Sequence, residues 1–304
     1  MARTELTARI EKLIGAQVTS CTPVAGGYTP ATRLLCRTAA GGTFFAKAGA
    51  TPLTAQFLRR EIHVYNTIRG PFLPQLLAWE DHPAEPLLLI EDLSAHTWPP
   101  PWNEQRVDAV RAQIAAMHAT TAFAAPLETY AEVHGTEHTG WRTVAEDPAP
   151  FLSLGMADGA WLEASLPLLV AAEARCSTEG ESLTHGDLRS DNLCLSPRGA
   201  VFVDWNHACR SNPTLDLGFW LPSLAWEGGP PPEALLPDAP EVAAWVSGFF
   251  AARAGLPTIP DAPRVRLVQW QQLQTALPWA VRALGLPPLP GSGGGGVSAP
   301  QADG

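Results

Sequence analysis

The sequence feature that most constrains this chain is a short polar loop that leads into a β-hairpin. Residues 183–195 read LTHGDLRSDNLCL, a four-residue turn follows, and a second apolar run ends as VFVDW at residues 201–205. Short apolar runs on both sides of a Pro/Gly turn are typical of a hairpin. If the turn centres on Pro197 and Arg198, facing residues have numbers that sum to about 395.

This register places Asn192 opposite Val203, so that the side chains of Asn192 and Asp204 reach one point at the mouth of the hairpin. An amide oxygen and a carboxylate at one point form a hard-oxygen site that suits Mg²⁺, which keeps several waters and binds phosphate oxygens. Asp187 precedes Asn192 in the same loop and is free to face an incoming hydroxyl. By themselves these residues allow several metal chemistries.

The lysine content supplies a further constraint. Of 20 Lys and Arg residues, the lysines are Lys12 and Lys47, and Lys47 stands in an apolar strand where alternation predicts a half-buried side chain. A lysine at a sheet edge that extends its amine to water is the alternative. On the next predicted helix, residues 54–68, Glu61 falls on the apolar face with no basic residue three or four positions away. We therefore predict a Lys47–Glu61 ion pair.

The complete set matches the signature of protein kinases: H-x-D-x-x-x-x-N, an acid at the end of the next strand, and upstream a strand Lys and a helix Glu. Phosphoryl transfer explains each residue type. Asp187 accepts the proton of the attacking hydroxyl, Asn192 and Asp204 hold Mg²⁺, Lys47 binds the α- and β-phosphates, and Glu61 positions Lys47.

Two other chemistries fit the sequence less well. Residues 134–138 spell H-x-x-E-H, the spacing of one class of zinc peptidases, but Gly135 and the neighbouring polar residues favour a loop over the helix that this class requires. A triad hydrolase needs a Ser or Cys in a G-x-S-x-G elbow, and the sequence has none.

At these residues the chain resembles the aminoglycoside phosphotransferase family, the small-molecule branch of the protein-kinase-like fold. HGD in place of HRD, VDW in place of DFG, and the lack of an A-P-E segment after Asp204 favour this branch. The resemblance implies an α+β, bilobal protein-kinase-like fold with an N-terminal antiparallel-sheet lobe, a mainly helical C-terminal lobe and a disordered tail. The matching segments are 185–192, 201–205 and 212–218, and the expected domains are 1–93, 94–288 and 289–304.

The resemblance also implies roles for residues outside the hairpin. Asp216 would brace the catalytic loop, residues 185–192, through backbone amides. Arg189 would place a guanidinium on the γ-phosphate, with an exposed arginine of no special role as the alternative. The remaining nucleotide-binding candidates are a glycine loop (Gly26, Gly27, Tyr28, Thr29) and a hinge whose backbone meets the nucleotide base (Glu91, Asp92, Leu93).

Composition limits the partners and the compartment. A net charge of −10 disfavours nucleic acid and acidic membrane surfaces, because phosphate backbones are bound by clustered Lys and Arg. The N-terminal residues show no apolar segment of the kind that export signals carry, and no apolar run is long enough to cross a membrane, so we expect neither feature. The five cysteines are odd in number and scattered, which predicts no disulfide and a cytoplasmic, reducing location.

We thus expect an enzyme that moves the γ-phosphate of ATP or GTP, with Mg²⁺, to a hydroxyl of a small molecule. The acceptor classes left open are aminoglycosides and other amine-bearing compounds, choline, homoserine, sugars and other hydroxyl compounds, and the sequence fixes no oligomeric state. A nucleotide-binding pseudokinase that serves as an interaction module is the alternative function, and a protein kinase is disfavoured by the missing activation segment. Candidates to line the acceptor pocket are Trp98, Trp102, Trp220, Trp226, Glu227, Glu233, Asp238 and Glu241.

Overall fold

A computed structural model describes residues 3–121, 123, 125–135 and 140–290. Its N-terminal part contains a five-stranded antiparallel sheet with the strand order β1-β2-β3-β5-β4. The elements of this part are α1 (Arg3–Ile14), β1 (Val18–Pro23), β2 (Thr32–Thr38), β3 (Thr43–Ala48), α2 (Pro52–Thr67), β4 (Leu76–Glu80) and β5 (Leu87–Glu91). The predicted mixture of an antiparallel sheet and helices is confirmed.

Alternation along β3 fixes which side chains point to each face of the sheet. Phe44, Ala46 and Ala48 are buried in a core with Ile10 of α1, because successive strand residues point to opposite faces. Lys47 therefore points to the other face, where α2 contacts β3 and β5. One face of the sheet thus serves the core, and the other carries the lysine.

Helix α2 begins at a well-formed cap. Thr51 accepts a hydrogen bond from the backbone N–H of Thr54, the Thr54 side chain returns a bond to Thr51, and Pro52 occupies the first helical turn. Such a capping box and an N-terminal proline stabilise a helix start. The helix therefore begins two residues before the predicted position 54, and it carries Glu61 with 2% of its surface exposed.

The predicted hairpin is confirmed with its register. Leu193 pairs with Phe202 and Ser196 with Gly199. The numbers of facing residues therefore sum to 395, as predicted. The elements here are α3 (Glu104–His118), β6 (Ser182–Thr184), a 3₁₀ turn (Ser190–Asn192), β7 (Leu193–Ser196), β8 (Gly199–Phe202) and β9 (Cys209–Ser211), with β6 pairing with β9. Helix α3 packs against β6 and against both hairpin strands, β7 and β8.

The chain divides into two compact units. One contains the described parts of Met1–His138, Ser177–Pro231 and Thr258–Val265, and the other contains those of Thr139–Cys176, Pro232–Pro257 and Arg266–Gly304. The domain limits expected at residues 93 and 288 stay predictions. The remaining helices of the first unit are α4 (Tyr130–His134) and α8 (Thr214–Trp226); the second holds α5 (Trp141–Glu146), α6 (Ala149–Leu152), α7 (Gly159–Glu173), α9 (Pro232–Leu235), α10 (Pro240–Ala254) and nearly all of α11 (Val265–Leu284).

The expectation of no disulfide is wrong. Cys21 on β1 and Cys36 on β2 are direct cross-strand partners with Cα atoms 4.2 Å apart, and they form a disulfide. Directly opposed residues in an antiparallel pair bring their side chains together, a consequence of strand register that sequence spacing does not reveal. Cys176, Cys194 and Cys209 are free thiols.

Within the described ranges, no helix is both long and apolar enough to cross a membrane. Residues 136–138 of the H-x-x-E-H segment lie outside the described residues, as does the tail from residue 291.

Candidate active site

Lys47 joins the sheet, helix α2 and the hairpin at one point. Its Nζ donates to Oε2 of Glu61 at 2.7 Å and to Oδ1 of Asp204 at 2.6 Å. The predicted Lys47–Glu61 pair is therefore confirmed, and the lysine side chain is 13% exposed. A buried lysine retains its charge only beside carboxylates, and here it has two.

The charges of this group stabilise one another. Burial alone lowers the pKa of Lys47, but the carboxylates of Asp204 and Glu61 outweigh it, and the pKa is raised above its ordinary value. Burial raises the pKa of Asp204, yet the Lys47 ammonium outweighs that effect and holds the pKa well below its usual range. Asp204 is thus an anion, and Lys47 a cation, at neutral pH.

Asp187 and Asn192 are held together at the start of the hairpin. The amide nitrogen of Asn192 donates to the backbone oxygen of Asp187 at 2.8 Å and to its Oδ2 at 3.1 Å. Burial raises the pKa of Asp187 to about 6, against the opposing effect of the Arg189 guanidinium. The structure thus brings both predicted residues together.

Arg189 lies inside this loop rather than on the outer surface. Its Nη2 is 3.3 Å from Oδ2 of Asp187, its Nε is 3.3 Å from Oδ1 of Asp191, and its side chain is 13% exposed. The guanidinium carbon also stands 5.0 Å from the ring centre of Tyr28. A buried guanidinium beside Asp187 weakens the alternative of an exposed arginine without a role.

His185 and Asp216 form the scaffold of the loop. The Nε2–H of His185 donates to the backbone oxygen of Val203 at 2.9 Å, while Nδ1 accepts from the N–H of Asp187 at 3.3 Å. Asp216 accepts from the backbone N–H groups of His185 (3.0 Å) and Gly186 (2.9 Å). The predicted brace is confirmed, and His185 serves as scaffold.

His118 was a missed part of this brace. Its Nε2 lies 2.9 Å from Oδ2 of Asp216, so a helix of the same unit is tied to the loop through the buried aspartate. The sequence does not indicate this contact, because a single histidine near the end of a helix can serve several structural or chemical roles.

The glycine loop predicted to bind nucleotide lies between β1 and β2. Gly26 and Gly27 have φ angles of 130° and 69°, which favour glycine. The Tyr28 hydroxyl donates to Oδ2 of Asp191 at 2.7 Å, so this loop contacts the catalytic loop. Burial and Asp191 raise the pKa of Tyr28 to about 12. Thr29 contributes its backbone oxygen to Arg33, at 3.1 Å.

The predicted hinge follows β5. The Glu91 carboxylate accepts from the N–H of Gln75 at 2.8 Å and pairs with Arg198, and Asp92 accepts from the N–H of Ser94 at 2.8 Å. Leu93 is buried against the hairpin. These side chains shape the chain locally; contact with a nucleotide base through their backbone stays a prediction.

Asp204 has neighbours that sequence reasoning missed. Its φ is 67°, a left-handed conformation that costs energy for residues other than glycine. With its amide nitrogen turned towards Asp204, Asn206 donates to Oδ1 and to the backbone oxygen, each at 3.0 Å, and its oxygen accepts from His207 at 3.1 Å. These bonds stabilise the unusual backbone and orient the carboxylate.

The residues at the hairpin mouth fit a divalent cation. Val203 N–H bonds to the backbone oxygen of Asn192 at 2.9 Å, which sets Asn192 beside Asp204. The amide nitrogen of Asn192 is used by Asp187, so the amide oxygen faces away from that bond and is available as a ligand. The described residues hold no cluster of three or more His, Cys, Asp and Glu suited to a metal. Two protein oxygens completed by phosphate and water match the preference of Mg²⁺.

One candidate for the acceptor pocket lies beside the catalytic loop. Oε2 of Glu227 accepts from Nε1 of Trp102 at 2.8 Å and from the Ser190 hydroxyl. Burial raises the pKa of Glu227, opposed by these two hydrogen bonds. Trp220 is fully buried and meets Trp102 edge to face. Glu227 and Trp102 therefore stay candidates, and Trp220 belongs to the core.

The other candidate acids occupy the second unit. Glu233 pairs there with Arg282 at 2.5 Å and Glu241 with Arg175 at 3.3 Å. Each ion pair lies within that unit, which accounts for these carboxylates without an acceptor. Asp238 has a left-handed backbone, with a φ of 52°.

The fold and the Lys–Glu–Asp arrangement define a kinase-like phosphotransferase. A family model described as the phosphotransferase enzyme family, APH, matches residues 20–281. The chain belongs to this family, and it is a small-molecule kinase that acts on hydroxyl groups. No curated protein sequence gives a significant match.

Solved structures share the fold. An amicoumacin kinase in complex with AMP-PNP, Ca²⁺ and Ami has a TM-score of 0.57 and 14% identity, over 90% of this chain and 92% of that one. A thermostable mutant of aminoglycoside phosphotransferase APH(4)-Ia, in complex with ADP and hygromycin B, has a TM-score of 0.56 and 13% identity, over 95% of this chain and 100% of that one. A choline/ethanolamine kinase family protein from Mesorhizobium loti has a TM-score of 0.56 and 15% identity, over 94% of this chain and 98% of that one.

Proposed function

We propose that this enzyme transfers the γ-phosphate of ATP or GTP, with Mg²⁺, to a hydroxyl of a small amine-bearing molecule. The observation that carries the proposal is the position of Lys47 between Glu61 and Asp204, at 2.7 and 2.6 Å. A lysine that Glu61 holds in place and that points to Asp204 is positioned to bind the phosphates of a metal-bound nucleoside triphosphate. Structural relatives bound to ADP and AMP-PNP support an adenine nucleotide as donor.

Each residue has a role that its contacts support. Asp187 orients the acceptor hydroxyl and takes its proton, because it stands on the loop beside the metal ligands and accepts from Asn192. Asn192 and Asp204 would hold Mg²⁺, which supplies charge neutralisation on the phosphates when bound. Lys47 provides a compact positive charge for phosphate oxygens. Arg189, next to Asp187, neutralises charge on the phosphoryl group in transfer.

An amine-bearing acceptor is supported by Glu227. Its carboxylate stands beside Trp102 and is bonded to Ser190, which directly follows Arg189 in the catalytic loop. An acid beside an indole ring is suited to a substituted ammonium group. The relatives named as an aminoglycoside phosphotransferase and as a choline/ethanolamine kinase family protein point to acceptors of this kind.

The test is an acceptor screen with purified protein, MgATP and MgGTP, across amino-sugars, amino alcohols and neutral sugars, with phosphorylated product detected by mass spectrometry. We expect turnover with an amine-bearing alcohol and its loss in Asp187→Asn, since removal of a general base typically costs about 10²–10⁴ in rate. Nucleotide affinity should change little in that variant.

Asp108→Asn is the matched control, because Asp108 is an aspartate on α3 whose side chain is 64% exposed and lies 3.7 Å from Arg111. Its turnover should equal that of the wild type. Undiminished turnover in Asp187→Asn would refute the assignment of the base. Nucleotide binding without turnover on any acceptor would favour the pseudokinase instead.

A further inference from the structure

Part of the glycine loop has no free backbone amide to offer a phosphate. Pro30 has no N–H, the N–H of Ala31 bonds to the backbone oxygen of Thr29 at 2.8 Å, and that of Val24 bonds to the oxygen of Arg33 at 3.0 Å. Amide cradles bind phosphate through several unpaired N–H groups. Residues 24, 30 and 31 therefore add no amide to such a cradle, and a side-chain cation beside the loop would strengthen phosphate binding.

Arg33 is a cation that lies beside both the glycine loop and Lys47. It is the direct cross-strand partner of Lys47 between β2 and β3, and residues directly opposite each other share a face of the sheet. Two cations that face each other would repel, but Glu61 and Asp204 lie on the same face and bind Lys47.

The Arg33 guanidinium also shapes the loop. Its Nη1 donates to the backbone oxygens of Thr29 at 3.1 Å and Ala31 at 3.2 Å. A Cβ added at Gly27 would stand 2.4 Å from Nη2 of Arg33, so the guanidinium occupies the space that a side chain at residue 27 would need. A side chain at residue 27 would thus displace the flexible guanidinium, and the positive φ of Gly27 favours glycine independently.

We propose that Arg33 is a phosphate-binding residue of the nucleotide site, whose guanidinium holds the glycine loop and adds a second fixed positive charge beside Lys47 for the donor phosphates. This inference rests on the proposed function. An arginine has five N–H donors, and the bonds to Thr29 and Ala31 use those of Nη1. Within the described residues, Nε and Nη2 make no hydrogen bond and can meet phosphate oxygens.

The test separates phosphate recognition from recognition of the nucleoside. Binding of ATP, GTP, adenosine and guanosine to the full chain, in the presence of Mg²⁺, is measured by titration calorimetry for the wild type, Arg33→Met and Arg33→Lys. We expect Arg33→Met to weaken binding of the preferred triphosphate about tenfold, the usual effect of one charge-assisted bond. Nucleoside affinity should stay within twofold, and Arg33→Lys should recover part of the loss.

Arg37→Met is the matched control, because Arg37 stands on the same strand opposite Thr43, at the end away from Lys47. It should bind triphosphate as the wild type does. A second arm uses Gly27→Ala, which displaces the guanidinium. In the wild-type background it should weaken triphosphate binding, and in the Arg33→Met background it should add little further loss.

The outcomes are distinct. Equal losses for triphosphate and nucleoside in Arg33→Met, or fully additive losses with Gly27→Ala, would show a general structural effect and overturn this inference alone. A wild-type protein that binds neither ATP nor GTP would overturn the proposed function, and this inference with it. A selective, non-additive loss of triphosphate affinity supports Arg33 as a phosphate-site residue.

Discussion

Lys47 and Asp204 stand 157 positions apart in the chain, yet the Nζ of one lies 2.6 Å from Oδ1 of the other. The bond connects β3 of the sheet to the residues that follow the catalytic hairpin. Because the lysine also bonds to a glutamate that is 2% exposed, it neutralises two acids at once. The stability of the fold and, under the proposed function, catalysis therefore depend on the same side chain.

The first prediction replaces Lys47 by methionine. Loss of one partner of a buried ion pair costs about 3–5 kcal/mol, because the remaining charge is buried without compensation. We expect a loss of about 3 kcal/mol in the free energy of unfolding, measured with urea, together with loss of phosphotransfer.

Lys12→Met is a fitting control, because Lys12 is the other lysine of the chain and lies on α1. A surface substitution of this kind changes stability by less than about 0.5 kcal/mol. Equal effects of the two substitutions would contradict the role of the buried group.

The second prediction concerns the glycine of the HGD motif. Gly186 has a φ of 76°, and a Cβ there would stand 2.6 Å from the backbone oxygen of His207. Gly186→Ala should therefore lose about 1 kcal/mol for the left-handed backbone and roughly 1–3 kcal/mol more for the overlap. Urea unfolding measures the total.

Gly41→Ala separates these two costs. Gly41 has a φ of 87° and nothing within 4 Å of an added Cβ, so only the backbone cost applies. A smaller loss in Gly186→Ala than in Gly41→Ala would show that the motif glycine is not required by packing.

Much of this site could be predicted from sequence because its parts are local. The register of a hairpin follows from its turn, and the position of Glu61 on α2 follows from helical periodicity. The Lys47–Glu61 pair could be inferred because each residue lacked a partner of its own. Local rules and unpaired charges thus identified the site before its geometry was known.

Contacts set by tertiary packing could not be predicted in this way. The disulfide depends on the register of β1 with β2, which no tight turn fixes, since the glycine loop separates the strands. Arg33 was missed for a similar reason, because its place opposite Lys47 is a property of strand pairing. His118 reaches Asp216 across 98 residues, and nothing local marks that contact.

The third prediction tests the brace of the catalytic loop. Asp216 is fully buried and accepts from two backbone N–H groups of the loop and from His118. Asp216→Asn puts an amide nitrogen where an acceptor is needed, which should cost about 2 kcal/mol in stability. Because misplacement by about 1 Å can cost a hundredfold in rate, we expect kcat to fall at least tenfold.

The readouts are urea unfolding and steady-state kinetics with the acceptor that the screen identifies. Nucleotide affinity should change less than kcat, because Asp216 acts on the loop that holds Asp187. The exposed Asp108→Asn variant again provides the control. Unchanged kcat in Asp216→Asn would mean that the loop keeps its position without the brace.

The last prediction concerns pH and the second unit. Glu173 accepts from the N–H of Trp141 at 2.9 Å, is 6% exposed, and has a pKa that burial raises to about 7 in spite of backbone hydrogen bonds. A carboxyl whose folded-state pKa is raised binds its proton more tightly in the folded state. Its contribution to stability is therefore complete below about pH 4.5 and is lost as pH rises through about 7.

Glu173→Gln removes this titration, and Glu163→Gln, at an exposed position on the same helix, is its matched control. We expect the unfolding free energy of the wild type, relative to Glu173→Gln, to fall by roughly 3 kcal/mol between pH 4.5 and 8, since one pKa unit corresponds to about 1.4 kcal/mol. The difference in unfolding free energy between the wild type and Glu163→Gln should vary much less over this pH range. If the corresponding difference for Glu173→Gln did not depend on pH, the carboxyl of Glu173 would have an ordinary pKa in the folded protein.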